Sequence, residues 1–211
     1  MFVFRNYILT AAHCGCEDNS SSAYTITAGE HNTLLTSGRE ATYSVSQVII
    51  HPSYNNITSR NYDFCLLKTS ISITFNKYVQ PACLPLSCND ECPTYSDVLI
   101  SGWGTTQYDG DESVTLQKAK VPIVPRSDCQ TAYAGIGITV TDNMNCAGYI
   151  STGGIDSCQG DSGGPMVCYR EGYFQLDGVI SFGNSCAAAG FPGVSGRVCQ
   201  ILDWLDETLG A

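Results

Sequence analysis

The sequence predicts an all-β fold with one C-terminal helix, and two observations support this prediction. The first is a series of short apolar or alternating runs bounded by Gly, Pro, Asn, Asp or Ser, which is typical of strands joined by turns. These runs cover residues 24–28, 45–50, 64–67, 98–101, 121–124 and 178–182. The second is a single segment with helical periodicity, formed by Val198, Ile201, Leu202, Leu205 and Leu209. We therefore expect antiparallel barrels or a sandwich.

Size and charge limit the possible functions. The chain has 211 residues, of which 43% are hydrophobic, enough for one sizeable core or two small ones. Its 20 acidic and 10 basic residues leave a net charge of -10. Nucleic acids and anionic membrane surfaces attract basic patches, so the acidic balance argues against both as partners.

The cysteine content indicates an oxidising compartment. Twelve cysteines in 211 residues is far above the usage of reduced, cytosolic proteins. A zinc site would need close CxxC pairs matched by a second Cys or His pair, whereas these cysteines are scattered. We therefore expect disulfides in a secreted, extracellular protein.

Three segments contain residues suited to nucleophilic catalysis. His13 ends an apolar run (LTAAHC), Asp63 precedes an apolar strand (DFCLL), and Ser162 lies in a glycine-rich turn (GDSGGP). Separately, they are typical of a packed histidine, a strand cap and a tight turn. Together they supply a serine hydroxyl, a base that takes its proton and a carboxylate that orients the base. The order His, Asp, Ser is one of the known orders of such a triad.

The sequence resembles the trypsin-like serine proteases of the chymotrypsin fold. The resemblance is carried by residues 9–14, 63–67, 101–104 (SGWG) and 156–165 (DSCQGDSGGP), and it extends through residues 192–194 to the final helix. It implies two antiparallel six-stranded β-barrels with the active site between them, the first barrel being incomplete here. The implied divisions of this one peptidase domain are an N-terminal barrel (1–95), a C-terminal barrel (96–197) and a C-terminal helix (198–211).

The resemblance also assigns catalytic roles. Ser162 corresponds to the nucleophile, His13 to the general base and acid, and Asp63 to the carboxylate that orients His13. The backbone N–H groups of Gly160 and Ser162 would form the oxyanion hole. Ser181 corresponds to the residue that supports the buried aspartate.

Substrate selection is implied by a second set of residues. Asp156 matches the acidic floor of the trypsin primary pocket, where it would pair with Arg or Lys of a substrate. Gly183 and Gly193 match the small residues that leave this pocket open, and Ser181 belongs to the same substrate-binding set. The sequence departs from the family at Phe182, where Trp is usual, and at Ser195, where Tyr is usual.

Activation is expected to involve Asp161, which corresponds to the carboxylate that receives the new N-terminal ammonium after zymogen cleavage. Met1 aligns just before the strand that carries His13. We therefore expect a partial sequence lacking the activation peptide and part of the first barrel, and little activity from these 211 residues alone.

Several disulfides are implied by the resemblance, namely Cys158–Cys186, Cys129–Cys146 and Cys88–Cys199. Val98 stands where the family has the partner of Cys168, which leaves Cys92 as a substitute. Cys14 and Cys83 resemble cysteines whose partners precede residue 1. A Cys16–Cys65 bridge is a guess, because sequence does not determine connectivity.

A structural calcium site is the one cofactor considered, and no cofactor is expected to be required. Residues 30–40 resemble the calcium loop of trypsins. Carboxylates would come from Glu30 and Glu40 and backbone carbonyls from Asn32 and Leu35, which is an all-oxygen set. Ser37 replaces a common acidic ligand. An ordinary solvated loop is about equally compatible with these residues.

We therefore predict a monomeric serine endopeptidase (EC 3.4.21) that cleaves after Arg or Lys and acts on protein or peptide substrates. Protein protease inhibitors are expected partners; nucleic acids and membranes are not. One alternative is a non-catalytic protease homologue that binds partners, although the complete triad argues against it. Another is an α/β-hydrolase esterase, which would need the order Ser, Asp, His and a βαβ rhythm that the chain lacks.

Overall fold

A computed structural model describes residues 2–55 and 60–210, and this part of the chain is mostly β-structure. Its strands are β1 (Phe2–Phe4), β2 (Tyr7–Thr10), β3 (Thr25–Ala28), β4 (Ala41–Ile50), β5 (Cys65–Thr69), β6 (Asp97–Gly102), β7 (Gln117–Val124), β8 (Met144–Ala147), β9 (Pro165–Arg170), β10 (Tyr173–Phe182) and β11 (Gly193–Arg197). Its α-helices are α1 (Arg126–Ala134) and α2 (Leu202–Leu209). Short 3₁₀ turns cover Cys16–Asp18, Ser21–Ala23, Cys88–Asp90 and Val198–Ile201.

The first half of the chain forms a five-stranded antiparallel sheet in the order β1-β2-β5-β4-β3. Side chains alternate across a strand, and β4 shows this clearly, since Tyr43 and Val45 are buried while their neighbours are exposed. The core beneath the sheet includes Ile8, Val48 and Leu67.

The second half forms a closed antiparallel barrel in the order β10-β11-β8-β7-β6-β9. Its core contains Val98, Val121, Met166 and Ile180. A closed six-stranded barrel beside an open five-stranded sheet, followed by a short helix, confirms the predicted chymotrypsin-like fold with an incomplete first barrel.

A third apolar cluster joins the two halves. It combines residues from β2 and β5 with residues from β10 and the C-terminal helix, including Leu9, Leu66, Leu176, Val179 and Leu205. The C-terminal segment differs slightly from the prediction, because Val198–Ile201 is a 3₁₀ turn and the α-helix begins at Leu202. The apolar cluster that joins the two halves holds the N-terminal sheet against the barrel.

Helix α1 was not predicted, because its sequence has no continuous apolar stripe. Only Cys129 and Tyr133 are buried along it. The helix is held by the Cys129–Cys146 disulfide and by a 2.8 Å hydrogen bond from the Tyr133 hydroxyl to the Pro192 carbonyl. Tertiary contacts therefore stabilise a helix whose own pattern is weak.

Five disulfides are present in the described residues: Cys16–Cys65, Cys88–Cys199, Cys92–Cys168, Cys129–Cys146 and Cys158–Cys186. These are the three pairs implied by the resemblance, together with the substitute and the guessed pair. Cys14 and Cys83 form no disulfide with any described residue. In the described part of the chain, neither helix is long and apolar enough to cross a membrane.

Candidate active site

The strand pairing brings His13 and Asp63 together. His13 follows β2 and Asp63 precedes β5, and these antiparallel strands pair Thr10 with Cys65. The two residues therefore lie at the same end of the pair. His13 Nδ1 lies 2.6 Å from Asp63 Oδ2, and the His13 backbone N–H donates to Asp63 Oδ1 at 2.9 Å.

The Asp63 carboxylate is almost completely buried, with 1% of its surface exposed. Burial alone would raise its pKa, but the hydrogen bonds from His13 and Ser181 and the charge of His13 hold the pKa of Asp63 below its usual value. The Ser181 Oγ donates to Oδ2 at 2.5 Å. Ser181 therefore contacts the Asp63 carboxylate directly.

The pairing with Asp63 shifts the pKa of His13 in the opposite direction. Burial disfavours the imidazolium, but hydrogen bonds to Asp63 and Cys14 and the negative charge of Asp63 outweigh burial and raise the pKa of His13 above 6.5. The carboxylate thus occupies Nδ1 and favours a proton on the ring. This leaves Nε2 as the nitrogen that can exchange a proton with a substrate or a nucleophile.

The turn that carries Ser162 packs directly against the segment that carries His13. Gly163 is the contact point, because a Cβ at this position would lie 3.2 Å from Ala11 N and 3.3 Å from Cys14 Sγ, with Thr10 Oγ1 closer still. The Gly163 N–H also donates to Ile180 O on β10 at 2.8 Å. Ser162 is thereby held exposed at the boundary of the two halves.

Ser162 and His13 do not share a hydrogen bond in the described structure. His13 Nε2 instead has the thiol of Cys14 at 4.0 Å. In free enzymes, catalytic hydrogen bonds are often long and shorten only when substrate binds. The arrangement is therefore a formed base–carboxylate pair with an adjacent, unengaged serine.

A cleft of about 290 Å³ lies beside Ser162, and its lining includes Arg60, Ser181 and Gly183. A larger cavity of about 430 Å³ is lined by Asp156, Asp161 and Gly104, among other residues. The two cavities share Tyr108 and the Cys158–Cys186 disulfide as lining residues. The cavity that Asp156 lines therefore adjoins the cleft beside Ser162.

Asp156 is held in close contact with the glycines predicted to line its pocket. A Cβ on Gly193 would lie 2.5 Å from Asp156 Oδ1, and one on Gly183 would lie 3.8 Å from Oδ2. The Ser157 N–H donates to Oδ1 at 2.8 Å. Burial raises the pKa of Asp156 to about 6, since its hydrogen bonds only partly compensate for lost water. A carboxylate in this state favours a cationic partner.

The carboxylate of Asp161 faces the larger cavity and accepts two backbone hydrogen bonds. The donors are Gly104 N–H to Oδ1 and Cys158 N–H to Oδ2, both at 2.9 Å. A Cβ at Gly104 would lie only 2.6 Å from this carboxylate, so glycine is needed there. No described cation pairs with Asp161.

Gly160 has the left-handed φ of 92° that glycine adopts without strain. A Cβ at this position would approach Gly104 Cα to 3.0 Å and Glu112 Oε1 to 3.2 Å. Backbone geometry and crowding both require glycine here. Two positions away is Ser162, whose N–H is the other group expected to form the oxyanion hole.

The two departures from the family pattern lie in or beside the barrel wall. Phe182 packs edge to face on Tyr133, with ring centroids 5.7 Å apart. Ser195 is buried on β11, opposite Ile180 and Asn145. The β10–β11 pairing shifts register between Ile180 and Phe182, so both departures lie at an irregular point of this strand pair.

Residues 60–62 form a support that sequence reasoning missed. Asn61 Oδ1 accepts hydrogen bonds from Thr141 Oγ1 at 2.7 Å and Asn143 Nδ2 at 3.1 Å. Tyr62 stacks on His51 with ring centroids 4.5 Å apart. Arg60 and Tyr62 both have positive φ, near 50°, which neither residue type favours. These contacts fix the loop that leads into Asp63 against the second barrel.

The four residues predicted to bind calcium lie around one cavity. Glu30 and Glu40 line one cavity of about 400 Å³ with Asn32 and Leu35. Glu40, however, accepts hydrogen bonds from the hydroxyl and N–H of Ser37 and from the next backbone N–H groups, and these bonds lower its pKa to about 2. The Glu40 carboxylate therefore already has hydrogen-bond donors within the loop. A calcium ion would have to compete with these donors for the carboxylate.

Among the described residues, one cluster brings three potential metal ligands within 4.8 Å of one another, namely Cys88, Glu91 and Cys199. The two sulfurs are bonded to each other, so neither is a free thiolate.

Comparison with known proteins shows similarity along the whole chain. A family model described as Trypsin matches residues 1–205. Trypsin-1 of Salmo salar is 43% identical over 99% of this chain and 79% of that protein. Trypsin II-P29 of Gallus gallus is 40% identical over 97% of this chain and 76% of that protein. Serine protease 1 of Canis lupus familiaris is 41% identical over 97% of this chain and 77% of that protein.

Proposed function

Because this chain belongs to the trypsin family of serine proteases, we propose that it is an endopeptidase that hydrolyses peptide bonds after Arg or Lys. The observation that supports this most directly is the buried His13–Asp63–Ser181 hydrogen-bond chain beside the Ser162 turn. A base held by a carboxylate beside an exposed serine is suited to acyl transfer.

The first chemical step is attack by Ser162 Oγ on the substrate carbonyl carbon. His13 Nε2 takes the hydroxyl proton, and the resulting imidazolium is stabilised by Asp63, as in the general template for this triad. The C=O electron pair moves onto oxygen, where the N–H groups of Gly160 and Ser162 would stabilise it. His13 then gives its proton to the leaving amine, and the C–N bond breaks.

Water completes the reaction on the same groups. His13 Nε2 removes a proton from water, the hydroxide oxygen adds to the acyl carbon, and the ester bond to Ser162 Oγ breaks as the proton returns to the serine. Asp63 remains ionised throughout, consistent with its lowered pKa. The chemistry needs no metal or organic cofactor.

Preference for Arg and Lys would come from Asp156. Its carboxylate is partly buried, with a raised pKa, and among the described residues it has no ion-pair partner. A substrate guanidinium or ammonium would supply the missing charge. Gly183 and Gly193 leave room beside the carboxylate, since any larger residue at position 193 would collide with Asp156.

Activation and environment follow as parts of the same proposal. The cavity around Asp161 would receive an N-terminal ammonium, and this ion pair would hold Gly160 in position. The protein would be secreted and monomeric and would act on protein or peptide substrates, with protein inhibitors as partners. A calcium ion bound by Glu30, Asn32, Leu35 and Glu40 would be structural.

The test is a substrate panel combined with active-site titration, carried out on protein whose N-terminus has been completed and cleaved so that an ammonium can reach Asp161. A serine-directed phosphonate counts competent Ser162 groups, and matched peptide amides ending in Arg, Lys, Phe or Leu report specificity. We expect Arg and Lys amides to be cleaved and Phe and Leu amides to be cleaved far more slowly. A preference for Phe or Leu would contradict the role of Asp156, and absence of phosphonate labelling would contradict the role of Ser162.

A further inference from the structure

The sequence contains two Asn-x-Ser/Thr triplets that the proposed peptidase function does not use. One is Asn19-Ser20-Ser21, and the other is Asn56-Ile57-Thr58, which lies outside the described residues. In a secreted protein this triplet is the acceptor pattern for N-linked glycosylation, and the modified asparagine belongs on a surface loop. The surroundings of Asn19 therefore decide whether the first triplet suits this modification.

Asn19 lies in a short, polar surface loop. It follows the 3₁₀ turn Cys16–Asp18 and precedes the 3₁₀ turn Ser21–Ala23. Residues 17–19 are exposed, and the large exposed apolar side chains of the described residues all lie outside residues 17–23. The Asn19 side chain makes no hydrogen bond to any described residue. A bulky polar substituent on its carboxamide would therefore displace no packed side chain.

The backbone at Asn19 is anchored to the core of the N-terminal sheet. The Asn19 N–H donates to the Cys16 carbonyl at 2.9 Å. Cys16 is completely buried and forms a disulfide with Cys65 on β5. The loop therefore presents the exposed carboxamide from a fixed base.

Backbone conformation explains an asparagine at position 19 but gives no role to the hydroxyl two residues later. Asn19 has a left-handed φ of 48°, which asparagine adopts more readily than most residues with a side chain. The cap residue Ser20 makes no side-chain capping bond, and its Oγ lies 3.2 Å from Ser22 Oγ. The Ser21 hydroxyl makes no hydrogen bond to any described residue. It is therefore available for the role that the acceptor pattern gives it.

Disulfides indicate the compartment in which this modification occurs. The described residues contain five of them, which form and persist in oxidising environments such as the lumen that a secreted chain enters. Asn-x-Ser/Thr acceptors are modified on chains that enter the same route. The inference thus rests on the proposed secretion and is independent of peptidase activity.

We propose that Asn19 is an N-glycosylation site whose donor is an oligosaccharide attached to a lipid pyrophosphate. The Asn19 Nδ2 nitrogen bonds to the anomeric carbon of the sugar and loses one proton. The bond from that carbon to the pyrophosphate oxygen breaks, and its electron pair leaves with the lipid pyrophosphate. Because Asn19 lines neither the cleft beside Ser162 nor the cavity at Asp161, small substrates still reach the site.

Translation of the chain behind a secretion signal, in the presence of microsomes, tests acceptor use without requiring a folded product. Every variant also carries Asn56→Gln, which leaves Asn19-Ser20-Ser21 as the remaining acceptor triplet. We expect one decrease in gel mobility that peptide N-glycosidase reverses. Asn19→Asp should abolish it, since aspartate tolerates the left-handed backbone but lacks the amide nitrogen. Ser21→Ala should also abolish it, whereas the matched controls Ser21→Thr and Ser20→Ala should retain it.

Secreted, N-terminally completed protein from insect cells tests the modification on the folded molecule. When the glycan is released enzymatically in heavy-oxygen water, residue 19 should be found as isotope-labelled aspartate in a peptide map. Per titrated site, kcat/KM for an Arg amide should agree within about 2-fold between wild type and Asn19→Asp, the range of an ordinary surface substitution.

A translocated Asn56→Gln chain without the mobility change, or secreted protein with unlabelled Asn19, would overturn the proposal. A large loss of kcat/KM in Asn19→Asp would contradict the position of the glycan outside the cleft. If the labelled residue is found but no Arg amide is cleaved, the proposed function fails while the modification site stands.

Discussion

Replacing Asp156 by Ser tests the specificity pocket most directly. Burial raises the pKa of this carboxylate from 3.8 to about 6. A rise of about 2 pKa units corresponds to about 3 kcal/mol of cost for keeping the group charged. A substrate guanidinium that offsets this cost should contribute a similar free energy to transition-state binding. That free energy corresponds to about 150-fold in kcat/KM. We therefore expect Asp156→Ser to reduce cleavage of an Arg amide about 150-fold.

The assay compares Arg, Lys, Phe and Leu amides with wild-type and Asp156→Ser protein, normalised to sites titrated by a serine-directed phosphonate. Phosphonate labelling should persist in the variant, because Ser162 and His13 are unchanged. Loss of labelling together with loss of Arg cleavage would indicate a disrupted site instead of lost recognition. An Arg preference that survives in a fully labelled variant would refute the reasoning.

Three further predictions concern other parts of the site. Ser162→Ala and His13→Ala should each abolish nearly all turnover, and the double variant should be little worse than either; multiplicative losses would mean that the residues act in separate steps. Cys14→Ala should move the acid limb of the pH profile of kcat/KM to lower pH, because His13 acts as a base only when unprotonated and Cys14 helps to raise its pKa. Cys83→Ala is the control. An acid limb that does not move in Cys14→Ala would contradict the effect of Cys14 on His13. Calcium at tenfold excess over its Kd should raise the melting temperature by about 4 °C in wild type, and by less in Glu30→Gln; no rise in wild type would rule out the site.

Several strands were predictable because short-range patterns mark them. Period-2 runs bounded by turn residues located β4 and β6, whose ends extended beyond the predicted bounds. Helix α1 had no such pattern, since a disulfide at Cys129 and the buried Tyr133 hold it in place. Local sequence patterns do not reveal contacts between residues that are distant in sequence.

In the candidate site too, some residues could be identified from the sequence and others could not. The resemblance identified Asp63 and Ser181. It did not identify the hydrogen bonds of the Asn61 side chain, which fix the loop before Asp63. Asn61 and Arg60 depend on partners 80 or more residues away, and no spacing rule connects them. The free thiol beside His13 Nε2 could be anticipated only as an unpaired cysteine, without its contact to the ring.

The anchoring of Asn61 has a consequence for the order of folding. The loop before Asp63 gains its side-chain contacts from Thr141 and Asn143, and the carboxylate itself needs Ser181 from the second barrel. A nascent chain that has formed only its N-terminal sheet would hold His13 near an aspartate that nothing yet secures from the other side. The catalytic pair would therefore be complete only once the second barrel has folded against the first.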